Sequence, residues 1–166
     1  GSEMCIRDSS IFCAETAHIY VDECGSPVKM TGCQIRPIAT TDGKLTPELM
    51  QPYLHGFGDQ HHSQPRALYI SQCTELGTIY TPEELKRLTD FAHLNGMYVH
   101  MDGARIANAC AALHLSLKEL TVDCGIDILS FGGTKNGLMM GECVIIFNKD
   151  LQREARFCLL YTSPSP

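Results

Sequence analysis

Four things are missing from this 166-residue chain. No two of its nine cysteines form a C-x-x-C pair, and an odd count without ligand spacing argues against a zinc module or a disulfide framework. That usage fits a reducing compartment, so a cytoplasmic location is expected. No run of 18 apolar residues occurs, which excludes a transmembrane helix. Positive charge is scarce. With 13 Lys and Arg against 19 Asp and Glu, the net charge of −6 and the lack of a basic patch speak against nucleic acid or an anionic membrane as partner. The start also lacks the long apolar core of a secretory signal.

What is present describes an ordinary globular chain, 44% hydrophobic and 19% charged. Its length suffices for one domain burying roughly 70% of its unfolded surface. Short apolar runs alternate with helical patterns. Strands are expected at Ile11–Ala14, Gln34–Ile38, Ala67–Ile70, Met97–Met101, Asp127–Phe131 and Glu142–Phe147. Pro37 marks the second as an edge or an end. Helices are expected after Thr46-Pro47, after Thr81-Pro82 with Glu84 completing a capping box, over Ile106–Leu113, and from Ser116. Leu85, Leu88, Phe91, Ala92 and Leu94 form an apolar stripe of core type, closed by Asn95-Gly96. The alternation predicts an α/β fold, a three-layer α/β/α sandwich around a mostly parallel sheet. Near-continuous apolar strands fit a sheet covered on both faces.

Two stretches carry candidate chemistry. Asp102 and Arg105 fall where a strand ends and an Ala-rich helix begins, the sheet edge at which open α/β folds bind ligands. Lys135 lies in Gly132-Gly133-Thr134-Lys135-Asn136-Gly137, after another strand. Glycines there allow φ > 0 and close approach of a planar ligand, and a partly desolvated lysine becomes a nucleophile toward carbonyls. A carboxylate and a lysine so placed match the needs of pyridoxal 5'-phosphate (PLP): one pairs with the pyridinium nitrogen, the other with the aldehyde. Strand-end Asp and Lys are also common without any such role. The loop pair His61-His62 has no evident third ligand, so no metal is expected.

Residues 14 to 150 resemble the middle of an L-threonine aldolase of the low-specificity type, in the β-eliminating lyase branch of the fold-type I PLP enzymes. The resemblance rests on Ala14-Glu-Thr-Ala-His-Ile19, Val21-Asp-Glu-Cys-Gly-Ser-Pro27, His100-Met-Asp-Gly-Ala-Arg-Ile-Ala-Asn-Ala109 and Ser130-Phe-Gly-Gly-Thr-Lys-Asn-Gly137, in the family's order. It implies that Lys135 holds PLP, Asp102 pairs with the ring nitrogen, His18 stacks on the ring, Arg105 holds a carboxylate or the ring oxygen, and Thr134 touches the cofactor. Without it, His18 reads as a helix-terminus residue. Many members carry a histidine after the threonine of the Ser71–Thr74 loop; here Glu75 stands there, a substitute acid/base or a plain surface carboxylate. The implied reaction is cleavage of L-threonine or L-allo-threonine to glycine and acetaldehyde. Two alternatives stay open: a β-eliminating amino-acid lyase, or a catalytically silent α/β fragment. Members are about twice this length and assemble as homodimers or homotetramers. Residues 1–10 and 159–166 match nothing in the family, leaving 11–158 as part of a PLP-binding large domain. This piece is therefore expected to bind PLP weakly.

Overall fold

The structure, a computed structural model, describes residues 8–153 and 155. Most of the two terminal segments set apart above, and Cys5 and Cys158, lie outside these residues. Six strands, β1 (Ser9–Ala14), β2 (Gln34–Ile38), β3 (Gln64–Ser71), β4 (Tyr98–Asp102), β5 (Ile128–Gly132) and β6 (Glu142–Ile146), form one sheet in the order β2-β1-β3-β4-β5-β6. Strand β1 starts two residues before the expected Ile11, so the boundary expected after Ser10 falls inside it. The first five strands in spatial order are parallel; β6 returns antiparallel to β5.

Among the described residues six α-helices connect them: α1 (His18–Val21), α2 (Ser26–Thr31), α3 (Pro47–Met50), α4 (Pro82–Leu94), α5 (Ile106–Leu113) and α6 (Leu117–Leu120). The connection from β1 to β2 steps one way along the sheet, and those leading to β3, β4 and β5 step the other way. Right-handed crossovers then place α1 and α2 on one face and α3 to α6 on the other. The fold is α/β, as expected from the sequence.

Local signals account for the helix starts. Thr81 Oγ1 accepts from the Glu84 amide, and the Glu84 carboxylate accepts from the Thr81 amide at 2.8 Å, the reciprocal box read from the sequence. Ser116 and Glu119 repeat it at α6. Gly96 takes φ 69°, a left-handed value that ends α4 cleanly. Leu85, Leu88 and Ala92 are buried against the sheet, each leucine stabilising by about 1.5–3 kcal/mol. Leu94 departs from the expected stripe. It is 87% exposed because it lies past the arc that meets the sheet.

Side chains alternate across the sheet. Leu68, Ile70, Val99, Met101 and Leu129 are buried and share the core with α4 and α5. The other face carries Tyr69, Ser71, His100, Asp102 and Ser130 at paired register positions. Helices α1 and α2 bury no residue, so that face is less thoroughly covered than the apolar strands implied. Strand β6 departs further from a sheet covered on both faces: Val144, Ile145 and Cys143 are all exposed.

Candidate active site

Parallel strands point their C-terminal ends to one edge, and there the chain gathers its candidate residues. The segments after β1, β3, β4 and β5, neighbours in the sheet, carry His18, Glu75, Arg105 and Lys135 respectively, with Asp102 closing β4. All six residues singled out from the sequence thus come from four adjacent strand ends, Thr134 directly preceding Lys135.

Asp102 is half-buried and both of its oxygens are engaged. The Tyr69 hydroxyl donates to Oδ2 at 2.6 Å, and the Ala104 amide donates to Oδ1 at 2.8 Å. Tyr69 is buried, and burial followed by the Asp102 charge pushes its hydroxyl well above the ordinary value of 10, so it stays a donor. Beneath this pair the His100 ring lies 5.2 Å from the Tyr69 ring, and its Nε2 meets Ser130 Oγ at 2.8 Å. Burial pulls the His100 pKa below 6.5, with Asp102 opposing; the imidazole is kept neutral.

Lys135 ends a 3-10 turn, Gly133–Lys135, where a plain loop was expected. Its side chain is exposed, and so is that of Arg105; among the described residues neither has an ion-pair or hydrogen-bond partner. Thr134 is exposed, and its Oγ1 accepts from the Gly141 amide at 3.3 Å while its own amide donates to the Gly141 carbonyl at 3.1 Å. That ties the turn to the start of β6.

The glycines serve a different purpose from the one expected. A Cβ on Gly132 would sit 2.8 Å from Ala104 Cα, one on Gly133 2.5 Å from the Gly141 carbonyl oxygen, and one on Gly103 2.6 Å from Leu129 Cδ1. The absent side chain of Gly132 lets the Lys135 and Asp102 loops touch backbone to backbone, that of Gly133 lets the turn close on Gly141, and that of Gly103 leaves room for Leu129 and the Ser130 carbonyl. Gly137 alone in this stretch takes a positive φ, 99°.

Glu75 and His18 are linked, though not through the imidazole. Glu75 Oε1 accepts from Ser71 Oγ at 2.7 Å and from the His18 amide at 3.0 Å. The His18 ring instead faces Asp22 at 3.4 Å and Glu23 at 3.1 Å, with the side chain 46% exposed. Beside Glu75, the buried Cys13 thiol is pushed up to about 12, chiefly by burial and then by the carboxylate, and stays protonated. The His62 ring packs edge-on against His55 at 5.6 Å, and among the described residues no three His, Cys, Asp or Glu side chains are placed to hold a metal ion.

Tyr69, Ser71, His100 and Asn136 were not singled out from the sequence. Tyr69 sat in a short apolar strand whose two faces look alike in one dimension. The polar residues of period two around it, Ser71 on β3 and His100 and Asp102 on β4, were the available signal.

These observations define an α/β domain whose reactive side chains, a lysine, a carboxylate and a guanidinium, project from the ends of adjacent parallel strands. The chain belongs to the β-eliminating lyase family, whose model matches residues 2–162, a span that reaches into both terminal segments expected to match nothing in the family. It is similar to a low specificity L-threonine aldolase of Pseudomonas aeruginosa, 42% identical over 152 residues covering 91% of this chain and 44% of that protein. An alanine racemase of Cochliobolus carbonum, TOXG, is 29% identical over 153 residues, 90% of this chain and 38% of its own length. Among solved structures, the Leishmania major threonine aldolase superposes with a TM-score of 0.84 at 30% identity, over 95% of this chain and 47% of that one. The chain thus spans less than half the length of these relatives. Among the described residues no helix is long and apolar enough to cross a membrane.

Proposed function

We propose that this chain is part of a PLP-dependent carbon–carbon lyase that cleaves L-threonine or L-allo-threonine to glycine and acetaldehyde. One observation carries the reading: Asp102 and Lys135 stand at the ends of neighbouring strands, in loops packed against each other. The 42% identity to a low specificity L-threonine aldolase supports the choice of reaction.

The residues fit PLP by their chemistry. Asp102 is a fixed carboxylate suited to a protonated ring nitrogen, and Lys135 is an exposed primary amine suited to an aldehyde. When bound, PLP supplies the electron sink for breaking a bond at an amino acid's α-carbon. Asp102 holds the proton on the ring nitrogen. The Lys135 amine would hold the cofactor through its aldehyde and, when free of it, would move protons at the substrate α-carbon. Arg105, with five rigid donors, grips a carboxylate by charge-assisted contact. Glu75 is the candidate base for the substrate hydroxyl; its bond to the His18 amide fixes the start of α1, and the His18 imidazole would supply the stacking face for the cofactor ring. Thr134 is a further cofactor contact. Residues 11–158 form part of the PLP-binding large domain. The full-length protein is a cytoplasmic homodimer or homotetramer.

A second reading is favoured by the racemase relative: the same lysine and carboxylate serve other changes at an amino acid's α-carbon, β-elimination included. Product analysis separates them, because only aldol cleavage releases glycine with acetaldehyde. The deciding experiment treats the chain with excess PLP and borohydride and maps the labelled peptides. A phosphopyridoxyl group on Lys135 that is lost in Lys135→Ala supports the site and leads to the threonine assay. Label scattered over surface lysines, or none, makes this a catalytically silent fragment.

A further inference from the structure

Asn136 follows Lys135 directly, and its side chain reaches away from its own turn. Nδ2 donates to the carbonyls of Gly132 at 2.7 Å, Gly103 at 3.1 Å and Ala104 at 3.2 Å, and Oδ1 accepts from the Ala107 amide at 2.9 Å. Three of these four partners belong to the segment that carries Asp102 and Arg105. Closing the 3-10 turn does not need the side chain, since the Asn136 backbone amide already donates to the Gly133 carbonyl at 2.9 Å.

The connection to the reactive groups is short. The Ala104 amide donates to Asp102 Oδ1, the Ala104 carbonyl accepts from Asn136 Nδ2, and Asn136 is bonded to Lys135. Between the carboxylate of Asp102 and the backbone of Lys135 there stand only two hydrogen bonds across Ala104 and the Asn136 side chain. Gly132 and Gly103 bring the two backbones close enough for one amide to span them. A primary amide at this length serves the four groups with two donor hydrogens, one of them shared between two carbonyls, and one acceptor. An aspartate of the same shape would turn a carboxylate oxygen toward three carbonyl oxygens, and alanine would leave all four groups without this partner.

We propose that Asn136 is a positioning residue, which fixes the Lys135 amine relative to Asp102 and Arg105 so that a carbonyl ligand held at Asp102 meets Lys135 rather than another lysine. This inference rests on the PLP site proposed above. A displacement of about 1 Å at such a site costs on the order of a hundredfold in rate, which is the scale on which one lost tether matters.

The test uses this chain, Asn136→Asp and Asn136→Ala, with circular dichroism to verify that each variant folds. Two readouts are taken: hydrogen exchange of the peptides covering 102–110 and 130–137, and the share of borohydride-trapped phosphopyridoxyl label on Lys135. The expected result is loss of protection in both peptides together, and a fall of about tenfold or more in the Lys135 share, greater for Asp than for Ala. Unchanged exchange over 102–110 would overturn the tether. Exchange that changes in both peptides while Lys135 labels as in the parent chain would overturn positioning and leave a fold staple. If one variant does not fold, the other decides. A parent chain that labels no lysine selectively sinks the PLP site itself, and the inference with it, an outcome distinct from a variant matching its parent.

Discussion

The Tyr69 hydroxyl and the Asp102 carboxylate share a 2.6 Å hydrogen bond between neighbouring strands, with the phenol buried and the carboxylate at the mouth of the site. Asp102 is held from β3 by the phenol and from its own loop by the Ala104 amide. Tyr69→Phe removes one of these donors and little else. A hydrogen bond to a charged group contributes about 1.5–3 kcal/mol, so the urea midpoint of the variant should fall accordingly. An unchanged midpoint would mean that water replaces the phenol at no cost.

His100 makes stability depend on pH. Burial lowers its folded pKa beneath 6.5. Above that value the imidazole is neutral in both states, and its full contribution is present. As pH falls below 6.5 the unfolded chain takes the proton first, and stability is lost until the folded value is passed. In His100→Gln the decline of unfolding free energy below pH 6.5 should be shallower than in the parent. Parallel slopes would remove His100 from the account.

Gly132→Ala tests the contact between loops. Its backbone, φ −80°, suits any residue, so the variant carries no conformational penalty. The added methyl would stand 2.8 Å from Ala104 Cα, which is backbone and has to move as a unit. Overpacking of this kind costs about 1–3 kcal/mol. Thermal unfolding should show the loss, and Lys135 labelling should fall with it. A variant as stable as the parent would show that the loops are free to separate.

Strand β6 is an edge with apolar side chains on both faces, Val144 being 64% exposed. Such an edge invites pairing with another chain, and a lysine there opposes it. Val144→Lys should lower light scattering at equal concentration without changing the helical circular dichroism signal. Equal scattering would place the sticky surface elsewhere.

Much of this was legible one residue at a time. Thr81 and Glu84 announce a capping box through chemistry that acts over three positions, and the helix starts there. Asp102 and Lys135 could be assigned to strand ends because apolar runs stop at each of them. What escaped were relationships between distant segments. Nothing local distinguishes Tyr69 from a core aromatic; its role comes from a neighbour 33 residues away. Glycines 132 and 133 look like room for a ligand, whereas a pairing of loops sets their neighbours. The exposure of β6 follows from its place at the edge, which only the strand order reveals.

The bonds made by Asn136 also bear on how the protein ages. Asparagine followed by glycine is prone to lose its amide, because the next backbone nitrogen can attack the side-chain carbon with little hindrance. The chain has two such pairs, Asn95-Gly96 and Asn136-Gly137. Asn95 is restrained by a single side-chain bond, from Nδ2 to the Phe91 carbonyl at 2.8 Å, and Asn136 by four. On prolonged incubation the folded chain should therefore lose ammonia and convert to isoaspartate and aspartate at 95 well before 136, and unfolding should erase the difference. The asparagine that ties the Lys135 turn to the Asp102 loop is thus the one the fold shelters longer.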